Sequence, residues 1–514
     1  MRGHRHHPFA HRVLVPGVAL CAAGALAACS SAVDAESGGG SATEGGTVTF
    51  AVALDAQPAN MLSHLARNDP WVGSVFDSLI RKDADGQPQP ALATKWEVSE
   101  DGRTVTVDLR DDVTFQNGDP FTAEDVVFTI DKVENQTEGS NMKYLVPSKV
   151  EKASDTQVVI TFDSPPGDAL FDWFEVMPMQ DHKTFTATDD GTTINGTGPF
   201  SFTDWKPGAG YTLKKNGDYW GGDVNLDEID YVVTEDATAE LSALRSGRAQ
   251  MAWGLTAADV KSMTADPQWT SLEAGGTVYS FNVNMSKKPF QNKKVRQAVG
   301  YAIDYDRIND QVFGGTGTTS NVFWDPKAPG MTDDLVHHYT YDPKKAKQLM
   351  QESGVSGASI PVAFGGNPAL KAQFEIVQNN LAAIGIKASA NQLDNGGFGA
   401  GLAKGDLGPA YMHLNGQVGL APVTLIDSLP QLRKGNPEGL WNDEYVAKRD
   451  ALTSATDDAA SEQALVALAE YLQQEAVAFP LVQAPIQVVA KKNISGVTAE
   501  RGGPMHFENA VITK

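Results

Sequence analysis

Side chains capable of covalent, redox or metal chemistry are sparse in this chain and badly placed for it. It has 2 cysteines, Cys21 and Cys29, both close to the N-terminus. His4, His6, His7 and His11 look like a metal-binding tract, yet they share their segment with Arg2, Arg5 and Arg12 and read as part of a basic leader. Asp83-Ala84-Asp85-Gly86 begins like a calcium loop, but the later ligands and the closing Glu are absent, which leaves a plain turn. Gly196-Thr197-Gly198-Pro199-Phe200 lacks the Lys-Ser/Thr that a phosphate-cradling loop needs. Asp111-Asp112 could serve as acid and base only if both carboxylates met at one point. As neighbours in an expected strand, they would point to opposite faces. No His-Glu-x-x-His, Gly-x-Ser-x-Gly or nucleotide loop occurs, so the chain is expected not to be an enzyme, and no cofactor or metal is expected.

The elements that remain are those of a large secreted body. With 514 residues, of which 41% are hydrophobic and 20% charged, the chain can bury a core of at least two lobes. A net charge of −23 opposes nucleic-acid binding, which depends on Lys and Arg at phosphates. Residues 1–28 read as a signal peptide: basic residues, then an apolar run from Val13 to Ala28. Leu26-Ala27-Ala28-Cys29 resembles a lipobox, which makes Cys29 the expected lipidation site and the membrane a partner through that anchor. Residues 29–46, rich in Ser and Gly, read as a flexible tether. No other apolar run reaches the roughly 18 residues a spanning helix needs.

The most ordered stretch is Trp96 to Ile130. Glu100-Asp101-Gly102 predicts a turn, Val105, Val107 and Leu109 a half-buried strand, and Asn117-Gly118 a second turn. Thr122 with Asp125 three residues on predicts a capped helix whose apolar face is Val126, Val127 and Ile130. Thr47 to Leu54 predicts a strand and Val75, Leu79 and Ile80 a short helix. From Asp131 to Gly191 the pattern is strand and loop. Val295, Ala298, Val299, Ala302 and Ile303 predict a core-facing helix, and so do Leu465, Leu468 and Leu472. Strands alternate with helices between Ile229 and Asp259, which indicates an α/β lobe.

The order Trp96, acidic-Gly turn, Leu109-Arg110, Phe115, Asn117-Gly118 and Phe121-Thr122-Ala123-Glu124-Asp125-Val126 resembles the family 5 extracellular solute-binding proteins. The likeness continues through Gly196 to Phe200, Asn216 to Trp220, Phe281 to Asn284, Lys294 to Asp304 and Tyr341-Asp342-Pro343. These are the peptide, dipeptide and nickel receptors of ABC importers. The resemblance implies a periplasmic-binding-protein-like α/β fold: two lobes joined by a hinge, with a domain inserted in the first. By that mapping lobe I takes residues 47–80, 195–275 and 483–514, the insert 81–194, and lobe II 276–482, with crossings near Gly276 and Pro480. A monomer on the extracytoplasmic face of the bacterial membrane is expected, with a permease as partner.

The resemblance also brings Asn68, Asp69, Trp253 and Tyr279 to the cleft. It points further to Tyr411 through Pro422, where peptide-binding members carry an Asp for the ligand's α-amino group. This chain has Tyr411, His413, Asn415 and Gln417 there and no acid at all. Asn415 and Gln417 suit a neutral, hydrogen-bonding ligand, and His413 an anion or a metal chelate. The implied ligand is a peptide or other small organic solute, with sugars, opines and metal chelates as alternatives. A ligand-sensing surface lipoprotein is the rival reading.

Overall fold

The computed structural model describes residues 42–43, 45–63, 66–83, 86–136, 142, 145–185, 193–234, 236–416, 418–455 and 457–513. Cys29, the leader, most of the tether and Gln417 lie outside the described residues. Ala42–Thr43, near the end of the tether segment, pairs antiparallel with Val511–Thr513.

An 11-stranded sheet runs through the molecule. At its centre lie two long antiparallel strands, Trp269–Val283 and Ala478–Lys491, paired from Trp269↔Lys491 to Asn282↔Ala478. On one side they continue into Met251–Trp253, Thr47–Val52, Glu228–Val233, Gly210–Lys215 and Phe200–Lys206, the sheet of lobe I. On the other they continue into Ala410–Asn415, Ala358–Phe364 and Ile386–Gln392, the sheet of lobe II. Register slips between Glu273 and Gly276 and again between Tyr279 and Ser280. Bulges of this kind bend a strand pair locally. At the first of them Gly275 adopts φ +73°, and a Cβ there would lie 3.0 Å from the Gly503 backbone, so glycine is required.

Two large apolar clusters flank these strands. One joins lobe I to a four-stranded sheet ordered Ala93–Val98, Thr104–Leu109, Gln157–Thr161, Lys149–Ser154, the sheet of the inserted domain. The other packs lobe II around Phe281, Val299, Val377 and Leu481, and a further cluster of lobe II gathers Val278, Trp324, Leu432 and Leu468.

Several local expectations need revision. Leu79 and Ile80 are not helical: the helix is Asp69–Val75, and Ile80 opens the strand Ile80–Lys82. The stretch after Asp131 holds a helix, Ala169–Val176, which buries Leu170, Trp173 and Phe174. Asp111 and Asp112 follow the strand that ends at Leu109 rather than lying in it, and Asp112 pairs with Arg110. The capping box is present: Asp125 Oδ2 accepts from the Thr122 N–H at 2.8 Å, and Thr122 Oγ1 accepts from Glu124 N–H.

Candidate ligand cleft

The crossing strands alternate in side-chain direction, and this sorts the candidate residues. In register with the lobe II strand, Tyr279 pairs with Leu414, whereas Val278, Ser280 and Asn282 pair with Asn415, His413 and Tyr411. Tyr279 therefore lies on the opposite face of the sheet from Tyr411, His413 and Asn415. Its ring packs 4.8 Å from Phe313 and lines a cleft of about 520 Å³ between the lobes. Leu255, Thr256 and Val260 form that cleft's lobe I wall, Asn367 and Pro368 its lobe II wall, and Thr277 and Gln487 its floor. Burial pushes the Tyr279 hydroxyl up to about 12, so it stays a neutral donor.

On the other face, Tyr411 is buried and donates its hydroxyl to Glu438, whose carboxyl burial raises to about 8. Asn415 is buried with Nδ2 unpartnered. The His413 ring lies tilted 5.5 Å from Phe398 and edges a hollow of about 390 Å³ lined by lobe II residues. Trp253 pairs with Val52 and Val488 and rests half-buried on the lobe I core. Asn68 is tied locally: its side chain bridges Gln57 N–H at 2.9 Å and the Gln57 carbonyl at 3.1 Å, and it accepts from Trp71 Nε1. Asp69, the next residue, is buried against a small cavity between lobe I and the insert. The structure thus does not gather the described candidate residues into one site.

It brings forward others that sequence patterns left unmarked. The insert and lobe II touch where Asp172 Oδ2 accepts from the Ala421 N–H at 2.8 Å and from the Thr424 hydroxyl, while its Oδ1 pairs with Lys82. Lys82 also lies 3.4 Å from Glu175. Arg501, in the C-terminal return, pairs with Asp325 of lobe II at 3.1 Å and packs against Gly419. Asp172 sits in the helix hidden by the strand-and-loop pattern. The one available signal was Pro165-Pro166-Gly167 ahead of an eight-residue run dense in apolar side chains.

Among the described residues, Asp125, Asp181 and His182 could hold a metal. The capping box and the His182 ring occupy Asp125, and Asn117, Thr184 and Asn195 donate to Asp181. These oxygens are committed to the fold.

A sequence profile described as "Bacterial extracellular solute-binding proteins, family 5 Middle" matches residues 87–429. The chain belongs to this family. Among curated relatives, the dipeptide-binding protein of Escherichia coli is 28% identical over 462 residues, covering 82% of this chain and 86% of that protein. Heme-binding protein A of Haemophilus influenzae is 31% identical over 355 residues, covering 61% and 64% respectively. Among solved structures, NikA from Brucella suis in complex with Fe(III)-EDTA superposes with a TM-score of 0.81 at 23% identity, covering 91% of this chain and 100% of that one. As a family 5 protein the chain is a solute-binding component of the ABC-importer type, and its homologues are binding proteins, not enzymes. Among the described residues no helix is long and apolar enough to cross a membrane.

Proposed function

We propose that this family 5 protein captures a peptide or other small organic solute between its lobes, on the face that carries the insert, and delivers it to a permease. The observation that carries this reading is the contact of Asp172 with Ala421 and Thr424, because those bonds join the insert carried by lobe I to lobe II, segments about 250 residues apart. Closure of this kind is a population shift, driven by a solute that prefers the closed form. Among the described residues, the wider cleft behind the crossing strands has no Asp, Glu, Lys, Arg or His in its wall and so little there to recognise a charged solute. Residues 47–80, 195–275 and 483–514 form lobe I in this reading, 81–194 the insert and 276–482 lobe II. The bulges at Glu273 to Gly276 and Tyr279 to Ser280 then serve as hinge points. Cys29 carries the lipid that holds a monomeric receptor to the membrane. Trp253 and Asn68 border the ligand's face, while Tyr411, Asn415 and His413 shape the lobe II wall behind it.

The dipeptide-binding relative supports a peptide, and the heme-binding relative a larger solute. Native mass spectrometry of the protein taken from its own cell, compared with the denatured mass, decides between them. A bound mass in an amino-acid series is the expected result. A discrete non-peptide mass would keep the receptor and replace the solute class. Protein that carries no solute, and that neither melts higher nor contracts with peptides, sugars, opines or metal chelates, would end the receptor reading.

A further inference from the structure

Lobe II carries a second hollow, also of about 390 Å³, that shares no residue with the one beside Phe398 and His413. The helix Tyr305–Phe313 begins at its edge, and the short strand Thr318–Thr319 is held there by pairing with Val482 and Gln483 of the crossing strand. The far wall is the chain from His337 to Tyr341, which follows the helix Asp333–Val336. Asn321 ties the two walls: its N–H donates to the Val336 carbonyl at 2.7 Å, and its Oδ1 accepts from the Tyr339 N–H at 2.6 Å.

Among the described residues, every side chain lining this hollow bears a hydroxyl, carboxyl, amide or imidazole, and no Lys or Arg takes part. The floor is committed to the fold. Tyr339 donates its hydroxyl to the Gln473 carbonyl at 2.6 Å, Tyr305 to the Gly300 carbonyl at 3.1 Å, and Ser320 to the Val322 carbonyl at 3.3 Å. The rim is not. Among the described residues, the side chains of Asp306, Thr319, Thr340 and Tyr341 have no hydrogen-bond or ion-pair partner, and Tyr341 is 47% exposed. A fixed floor beneath open polar groups is pre-organised, so a ligand that supplies the missing partners orders little of the protein when it binds.

The chemistry of the wall selects the ligand. A phosphate or sulfate ester needs Arg or Lys, and Lys345 of the next helix, Pro343–Ser353, lies instead over the Tyr301 ring at 3.7 Å. An apolar molecule would cover the open hydroxyls without bonding them, which costs more than it gains. A saccharide meets both conditions. Its hydroxyls donate and accept as those of Thr319, Thr340 and Tyr341 do, and the two oxygens of Asp306 suit a pair of adjacent hydroxyls. The C–H face of a sugar ring covers the Tyr341 ring, whose body is apolar and whose tip is polar. Small-molecule sites span about 300–1,000 Å³, and this hollow falls within that range. We propose that it is a saccharide site, separate from the solute cleft, by which the receptor holds a neutral glycan. Because its walls belong to lobe II, closure would carry the site along without opening or shutting it.

The test uses the full chain, saturation-transfer NMR with chitobiose, maltose and lactose, and co-sedimentation with insoluble cell-wall glycan. At least one disaccharide is expected to receive saturation through its ring C–H protons, and Tyr341→Ala to weaken its binding about tenfold. Asp306→Asn is expected to weaken it less, because one acceptor oxygen remains. Both side chains are exposed, so the melting temperature and the binding of the solute recovered from the cell should match the parent's. Retention of the chain on insoluble glycan, reversed by the disaccharide, supports the site and identifies the wall as the source. Binding of free disaccharide without retention supports the site and identifies a soluble sugar. Saccharide binding that survives Tyr341→Ala and Asp306→Asn together, or that contracts the molecule in scattering, puts the sugar elsewhere and overturns the proposal. So does the absence of saturation for every disaccharide together with no retention on the glycan.

Discussion

His413 is half-buried at the edge of the lobe II hollow, and the ring of Phe398, 5.5 Å away, covers part of it and limits the water that would stabilise an imidazolium. Burial lowers its pKa from 6.5 to about 4. While neutral, the ring offers an anion no charge. Because the folded-state value is depressed, the group favours the fold above pH 6.5 and withdraws that support as pH falls through 4. The Cε1 proton resonance of His413 is therefore expected to stay flat from pH 8 to about pH 5. A midpoint near 6.5 would show that the ring is solvated and restore its charge as a candidate contact. The sequence exposed His413 as a titratable group but could not show its neighbours. Phe398 lies 15 residues earlier on another element, and Tyr411 finds its acceptor in Glu438, 27 residues later. No local pattern encodes such pairs.

At the scale of elements, what the sequence displayed well was what local chemistry decides. The Thr122 and Asp125 pair forms a capping box because both partners lie within one helical turn, so their types and spacing suffice. Replacing Thr122 by Ala is expected to cost about 1 kcal/mol, read as a lower denaturant midpoint at unchanged slope. An unchanged midpoint would mean that tertiary packing alone sets the start of this helix. Ala169–Val176 was hidden for the opposite reason. Asp168, Asp172 and Glu175 do fall on one face at helical spacing, but the run is only eight residues long, too short for that period to stand out among Leu170, Phe171, Trp173, Phe174 and Val176. The insert's core and lobe II enclose it on both sides. Likewise Asn68 and Asp69 stand at a helix start, where one amide ties the loop and the adjacent carboxyl turns into a cavity. Composition cannot separate those two fates.

Across the whole molecule, two cores are joined by one pair of strands, and their relative position depends on contacts that can be made and broken. Asp172 holds the principal one. It is fully buried, accepts from Ala421 and Thr424 across the lobes, and is neutralised by Lys82 from its own side. Hydrogen bonds to a charged group contribute about 1.5–3 kcal/mol each in favourable cases, but opening returns both donors to water, so the net bias toward closure is smaller. Asp172→Ala removes both acceptors and leaves Lys82 facing Glu175 alone. If closure traps the solute, apparent affinity scales with the closed fraction, and a loss of about 1–2 kcal/mol weakens binding roughly tenfold. The variant's radius of gyration should exceed the parent's, and Asp172→Asn, which keeps one acceptor oxygen, should fall between the two. Solution scattering and calorimetry on the solute recovered from the cell measure both quantities. A variant as compact and as tight-binding as the parent would mean that Arg501 and Asp325, or the strand bulges themselves, fix the lobes, and Asp172 would become a packing residue of the insert.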